Sequence, residues 1–365
     1  MSLAALIASQ IAAEGPIGVD RYMALALAHP TYGYYMRQDP FGSAGDFITS
    51  PEISQMFGEL IGLALAQNWL DQGAPKPFGL AELGPGRGTL MADVLRATRT
   101  VPGFHDAMRV HLVEASPHLR EIQSKALERF CSSDRLTWHD TVQSLPDVPL
   151  WLVANEFFDA LPIRQFIRTE SGWSERMIGL APEAKEAEPS FIWGRGPEAA
   201  IDALRARVAQ AEPRDLVETC APAEAIMAQL AGHIARFGGA ALIIDYGDWQ
   251  TTGSTFQAVR AHKPVDPLSD PGQADLTAHV QFESLAKAAT SAGLAASSLT
   301  EQGLFLNRLG IAQRAERLAQ SLSGSARSSH DAALERLTSP SEMGTLFKVL
   351  GCVPPHAAQL PGLSP

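Results

Sequence analysis

Short apolar runs alternate along the chain with stretches of helical period. Runs at 79–83, 109–114, 135–139, 149–154 and 240–245 read as strands. Pro149-Leu150-Trp151-Leu152-Val153-Ala154 is apolar throughout, as a strand covered on both faces is. Between the runs, Leu90, Met91, Val94 and Leu95 repeat at helical spacing, and so do Leu119, Ile122, Ala126 and Phe130. Ile226, Leu230, Ile234 and Phe237 do the same and stop at Gly238-Gly239. Ser116-Pro117 supplies a helix cap and a first-position proline. Strand–helix alternation of this kind predicts an α/β protein with a mostly parallel sheet.

The flanking segments read differently. Residues 1–78 are mainly helical in pattern. Leu3, Ile7 and Ile11 share one face of a first helix, and Asp20 is positioned to cap a second that runs through Ala28. Thr49-Ser50-Pro51-Glu52 reads as a helix start with its cap at Ser50. That helix carries Ile53, Phe57, Leu60, Ile61, Ala64 and Leu65 and ends before Gly73. Ile163–Thr169 and Trp173–Leu180 suggest a hairpin about Glu170-Ser171-Gly172. Residues 181–215 are polar and read as peripheral, and the serine-rich stretch near 321–329 as a loop or connection. The expected organisation is an N-terminal helical extension over 1–78 packing on a core over 79–365. That core carries an inserted segment about 163–215 and a loop-rich, substrate-side region about 247–282.

The turn after the first strand carries the first chemical signal. Glu82-Leu83-Gly84-Pro85-Gly86-Arg87-Gly88 places an acid at the strand end and glycines at 84, 86 and 88. Glycine suits backbone that turns with positive φ or lies against a ligand. A dinucleotide fingerprint needs glycine or alanine where this chain has Thr89. Pro85 removes an N–H from a phosphate cradle. Glu82 faces a phosphate badly but serves a cation. S-adenosylmethionine carries an ammonium and a sulfonium and no phosphate, so it fits better. The second run ends at Glu114, thirty residues after Gly84, where an acid can accept hydrogen bonds from a ribose diol. The bland alternatives are a ligand-free turn and a carboxylate stabilised by a helix dipole.

Ligands of open α/β sheets bind beyond the carboxyl ends of the strands. The fourth run ends in Asn155-Glu156-Phe157-Phe158-Asp159-Ala160-Leu161-Pro162. Asn155, Glu156 and Asp159 make a polar cluster suited to holding a nitrogen nucleophile, and the two phenylalanines can exclude water. Capping acids at a helix start are the alternative. A further polar stretch after Asp245-Tyr246-Gly247 contains Arg260, His262, Asp266, Asp270, Asp275 and His279. His279 is a candidate proton acceptor; equally, Asp275 can be a capping residue with His279 packed beside it. No recognised zinc spacing is present, so no metal is expected.

Composition narrows the class. The 365 residues are 45% hydrophobic, enough for a sizeable core, and the net charge is −11. That charge argues against a broad nucleic-acid surface and suits a cationic protein substrate. Cys131, Cys220 and Cys352 form no disulfide framework, which points to a reducing compartment. The start lacks a basic n-region and no run reaches the length of a membrane span, so a cytoplasmic location is expected.

These residues resemble the MidA-like family of class I S-adenosylmethionine-dependent methyltransferases, found in bacteria and in mitochondria as a complex I assembly factor. The matching segments are His29-Pro30, Gly33-Tyr34-Tyr35, Gly45–Pro51, Phe57–Leu60 and Glu82–Gly88. Further along are Ala154–Pro162, Asp245–Gly247, Asp275–Phe282, Gln302-Gly303, Phe305-Leu306 and Phe347–Val349. Gln281 departs from the family, which usually has an acid there. The resemblance implies a Rossmann-like, mostly parallel seven-strand sheet, S-adenosyl-L-methionine as cofactor and a protein arginine as acceptor, with a complex I subunit as the candidate bearer of that arginine. Glu82, Gly84, Gly86, Gly88, Glu114, Asn155 and Asp46 are then cofactor candidates, and Asn155, Glu156, Asp159 and His279 catalytic ones. Tyr34, Tyr35 and Asp46-Phe47 are candidates to close over the cofactor. Two rivals stay open: a nucleotide-dependent enzyme on a similar sheet, and a cofactor-binding assembly chaperone without transfer.

Overall fold

A computed structural model describes residues 2–37, 49–182, 189–207 and 211–365. The chain divides into two compact units, each assembled from separated segments. One takes Met1–Phe47, Asp159–Ala223 and Gln250–Gln281; the other takes Ile48–Phe158, Glu224–Trp249 and Phe282–Pro365.

The second unit holds the main sheet. The strands along its main path are β1 (Phe78–Leu83), β2 (Met108–Val113), β3 (Leu136–His139), β4 (Leu150–Asn155), β5 (Gly239–Asp248), β6 (Ala295–Ala296) and β7 (Phe347–Val353), and Thr300–Glu301 also pairs with β7, off that path. They lie in the order β6-β7-β5-β4-β1-β2-β3. Neighbours from β3 to β5 pair in parallel, while β7 runs antiparallel to β5 and β6. This is the α/β, Rossmann-like arrangement. The chain moves outward from β1 through β2 to β3, then returns to the other side of β1 with β4 and β5. The carboxyl ends of β1 and β4 therefore flank the topological switch point. β1 and β4 are buried at every residue, which explains why they are apolar except for Glu82 and Asn155 near their carboxyl ends. Trp69, Phe78, Phe104 and Trp151 meet beneath them, Phe78 and Trp151 edge to face at 5.4 Å.

The first unit contains a second sheet. Ile17–Gly18, Trp173–Leu180, Arg164–Arg168 and Leu216–Thr219 pair in that order, and Phe191–Ala199 adds to Trp173–Leu180. Leu3, Ile7 and Ile11 of the first helix are buried in its core with Tyr22, Ile178 and Phe191. The expected hairpin about residues 170–172 is present, between Arg164–Arg168 and Trp173–Leu180.

Several local expectations are corrected. The helix expected from Ser50 is two helices, Ser50–Ile53 and Gln55–Asp71. Ser54 breaks them: its backbone is extended and its hydroxyl caps the second helix by accepting from Met56 N–H. Thr49, not Ser50, occupies the cap position of the first. Asp20 is not a cap either; Gly18 is, and Asp20 sits in the first turn, where the dipole favours an acid. The stretch after residue 247 is not wholly loop. Gln257–Arg260, Lys263–Val265 and Asp275–Thr277 form a small antiparallel sheet, so Asp275 lies in a strand and caps no helix. The hairpin turn there uses Ala261 and His262 at positive φ, without the glycine that announces such turns. The serines near 325 lie in a helix, Gly324–Thr338, anchored by buried Leu337. Among the described residues no helix is long and apolar enough to cross a membrane.

Candidate active site

The glycine turn begins where β1 ends. Gly84, Gly86 and Gly88 have φ of 60°, 51° and 82°, all in the left-handed region that L side chains avoid. Gly84 N–H donates to Val113 C=O at 3.0 Å, which ties the turn to the end of β2. A Cβ on Gly84 would stand 2.9 Å from Phe157 Cδ2, so this glycine also makes room for the phenylalanine after β4. Gly88 then caps the helix Thr89–Thr98.

Glu82 lies on β1 between Leu112 of β2 and Val153 of β4. It is 3% exposed, and its Oε2 has no hydrogen-bond partner. Burial pushes its carboxyl up to about 8, against a smaller opposing effect from a hydrogen bond with the Met91 backbone. One strand away, Asn155 ends β4. Its Nδ2 donates to Glu156 Oε1 at 2.9 Å, while its Oδ1 is buried and without a partner.

Glu114 follows β2 directly. Its Oε1 accepts from Ser116 N–H at 2.8 Å and its Oε2 from Gln123 Nε2 at 3.2 Å. Burial raises its carboxyl, and these donors oppose the shift. Glu156 has φ of 51°, strained for a residue with a side chain. Its N–H donates to Ile244 C=O, and its Oε1 accepts from Ser50 N–H at 2.9 Å as well as from Asn155. Phe157 and Phe158 pack edge to face at 5.3 Å, and Phe158 N–H is held by buried Asp245.

Glu82, the three glycines, Glu114, Asn155 and Glu156 thus gather at the carboxyl ends of β1, β2 and β4. Asp159 and His279 belong to the other unit. There Ala278 N–H donates to Asp159 C=O at 3.0 Å and His279 N–H to Thr255 Oγ1 at 2.9 Å. Tyr35, in the same unit, donates its hydroxyl to Asp275 at 2.8 Å; burial, then Asp275 and Asp159, raise it well above an ordinary phenol. Tyr34 is fully buried against its ring. Asp46 and Phe47 lie outside the described residues.

The vacant acceptors decide which cofactor the β1–β4 ends fit. A buried carboxylate oxygen and a buried amide oxygen lacking donors call for a ligand that donates. An ammonium donates; a phosphate offers mainly acceptors. The positive-φ glycines give such a ligand close access to backbone. The residues present therefore suit an amino-acid-bearing nucleoside such as S-adenosyl-L-methionine and not a dinucleotide.

The comparisons with known proteins agree on the class. A family model described as a putative S-adenosyl-L-methionine-dependent methyltransferase matches residues 60–300. The chain belongs to this family of S-adenosyl-L-methionine-dependent methyltransferases, as its motifs suggested. It is 38% identical to the protein named protein arginine methyltransferase NDUFAF7, mitochondrial, from Danio rerio, over 94% of this chain and 84% of that one. The Homo sapiens protein of the same name is 36% identical over 96% and 83%. A crystal structure from Burkholderia thailandensis, bound to S-adenosyl-homocysteine, superposes with a TM-score of 0.84 at 29% identity, covering 99% of this chain and 94% of that one.

Sequence reading missed Gln123, Asp245 and the Ser50 N–H. Gln123 had a signal: it interrupts the buried face Leu119–Gln123–Leu127 of its helix, where periodicity calls for an apolar residue. Asp245 had one too, as the first charged residue in the otherwise apolar strand Gly239–Asp248. The Ser50 contact spans 106 positions and leaves no local trace.

Proposed function

We propose that this methyltransferase modifies an arginine side chain of a protein, with a respiratory complex I subunit as the candidate acceptor. The observation that carries the reading is similarity across 94% of the chain to relatives named protein arginine methyltransferases. The cofactor supplies an electrophilic methyl on sulfur. The chain's own work is to hold, orient and exclude water. Glu82 and the Asn155 amide oxygen hold the amino-acid end, and Glu114 accepts from the ribose. Glu156, whose Oε1 accepts from Ser50 N–H and Asn155 Nδ2, supplies the carboxylate that localises guanidinium charge and leaves one nitrogen exposed. Cys131, Cys220 and Cys352 form no disulfide among the described residues, which supports a reducing, cytoplasmic location.

The test is transfer of labelled methyl from S-adenosylmethionine into extracts of cells that lack the protein, followed by mapping of the product. A single labelled arginine is expected. Label on another residue type refutes the acceptor, and no label in membrane or soluble fractions favours a non-catalytic assembly chaperone. Glu156→Gln keeps a carbonyl acceptor for Ser50 and Asn155. S-adenosylhomocysteine affinity is expected within threefold of wild type while transfer falls about a hundredfold or more. Undiminished transfer removes Glu156 from the clamp.

A further inference from the structure

Gln123 lies on the helix Pro117–Leu127, outside every motif that suggested cofactor binding, and is completely buried. Its carboxamide makes three hydrogen bonds. Trp138 Nε1–H donates to its Oε1 at 2.8 Å. Its Nε2 donates to Gly86 C=O at 2.8 Å and to Glu114 Oε2 at 3.2 Å. The indole settles which way the amide points. An indole N–H only donates, so it must face the amide oxygen, and that leaves both amide protons for Gly86 and Glu114. Gln123 also lies against the turn at Gly88, where a Cβ would stand 3.5 Å from its Cα and Cγ.

Glu114 reaches its place from a different strand than the glycine turn, and nothing else described bridges the Gly86 carbonyl to the Glu114 carboxylate. Ser116 N–H engages Oε1 from the residue's own loop. Arg120 bonds the Glu114 carbonyl, not its carboxylate. Gln123 alone among these joins the β1 turn to the carboxylate after β2.

We infer that Gln123 is a positioning residue for the cofactor: oriented by Trp138, it locks the Gly86 turn and the Glu114 carboxylate into one rigid frame that presents Glu114 to the ribose hydroxyls. The inference rests on the reading of Glu114 as the ribose acceptor. It assigns the buried amide a role in binding and predicts that its effect runs through Glu114. Bulk and burial stay the same in Gln123→Met, while both donors are lost.

The test is a double-mutant cycle on S-adenosylhomocysteine affinity, measured by calorimetry on the full chain, with Tm of the ligand-free variants in parallel. Gln123→Met is expected to weaken binding about tenfold in the wild-type background and less than twofold in Glu114→Gln. Trp138→Phe leaves Gln123 in place but frees its amide, and is expected to lose about threefold with the same dependence on Glu114; it carries the test if Gln123→Met does not fold. An equal fold-loss in both backgrounds, or unchanged affinity, overturns the inference. Glu114→Gln by itself separates the premises: if it leaves affinity unchanged, the ribose role of Glu114 fails; if it weakens binding and the Gln123 effect simply adds, only the positioning role fails.

Discussion

Glu82→Gln isolates the charge of the buried strand-end acid. Its carboxyl titrates at 4.5 when exposed and is pushed up to about 8 by burial in the folded protein. Between those values the folded state holds a proton that the unfolded state has lost. Stability therefore falls as pH rises through that window and is fully present below it. Each pH unit costs about 1.4 kcal/mol, so at pH 7 the acid destabilises the ligand-free protein by roughly 3 kcal/mol. Glutamine preserves the shape and has no charge to desolvate. Chemical denaturation at pH 4.5 and pH 7 is expected to show the variant gaining roughly 3 kcal/mol on the wild type between the two. Binding supplies the converse. A ligand ammonium stabilises the carboxylate, so S-adenosylhomocysteine binding at pH 7 is expected to release close to one proton from wild type and almost none from Glu82→Gln. Calorimetry in buffers of different ionisation enthalpy reads that number. A parallel pH dependence of the two proteins, or no proton release from wild type, refutes the assignment of Glu82 as a buried acid awaiting a cation.

Two other substitutions probe the same strands. Gly84→Ala forces a side chain onto a φ of 60° and to within 2.9 Å of Phe157, so a loss of about 2 kcal/mol in denaturation and at least tenfold weaker S-adenosylhomocysteine binding are expected; unchanged affinity refutes the close-approach argument. His111 Nδ1 and His139 Nε2 share a hydrogen bond of 3.0 Å, and burial, then His139, push His111 down to about 4 from 6.5. The unfolded state binds the extra proton between those values, so this pair's contribution is present above pH 6.5 and lost as pH falls towards 4. His111→Phe is expected to remove a slope of opposite sign to that removed by Glu82→Gln, seen as a flatter acid limb in denaturation at pH 4.5 to 6.5; an unaltered limb refutes it.

Periodicity and turn chemistry in the sequence were enough for the α/β class, the strands at 79–83 and 149–154 and the helix starting at Ser116-Pro117. These signals are local: apolar runs report burial on both faces, and cap residues report unsatisfied helix ends. The same locality made Glu82, Glu114 and Asn155 visible, because a polar residue ending an apolar strand stands out against its neighbours. Where two local readings competed, folding decided. Ser54 rather than Ser50 capped the long helix, and Asp275 entered a strand rather than a cap. The grouping of Met1–Phe47 with Asp159–Ala223 and Gln250–Gln281 had no local signature at all. Nor did the state of each site group. Whether Glu82 is charged depends on what surrounds it, and whether Glu156 is free to turn depends on an N–H 106 positions away. Sequence by itself marked the candidates for the chemistry, since residue type and strand-end position are properties of the chain. Only the tertiary structure decided their protonation, their strain and the bracing by Gln123, because desolvation and hydrogen bonding are set by neighbours in space.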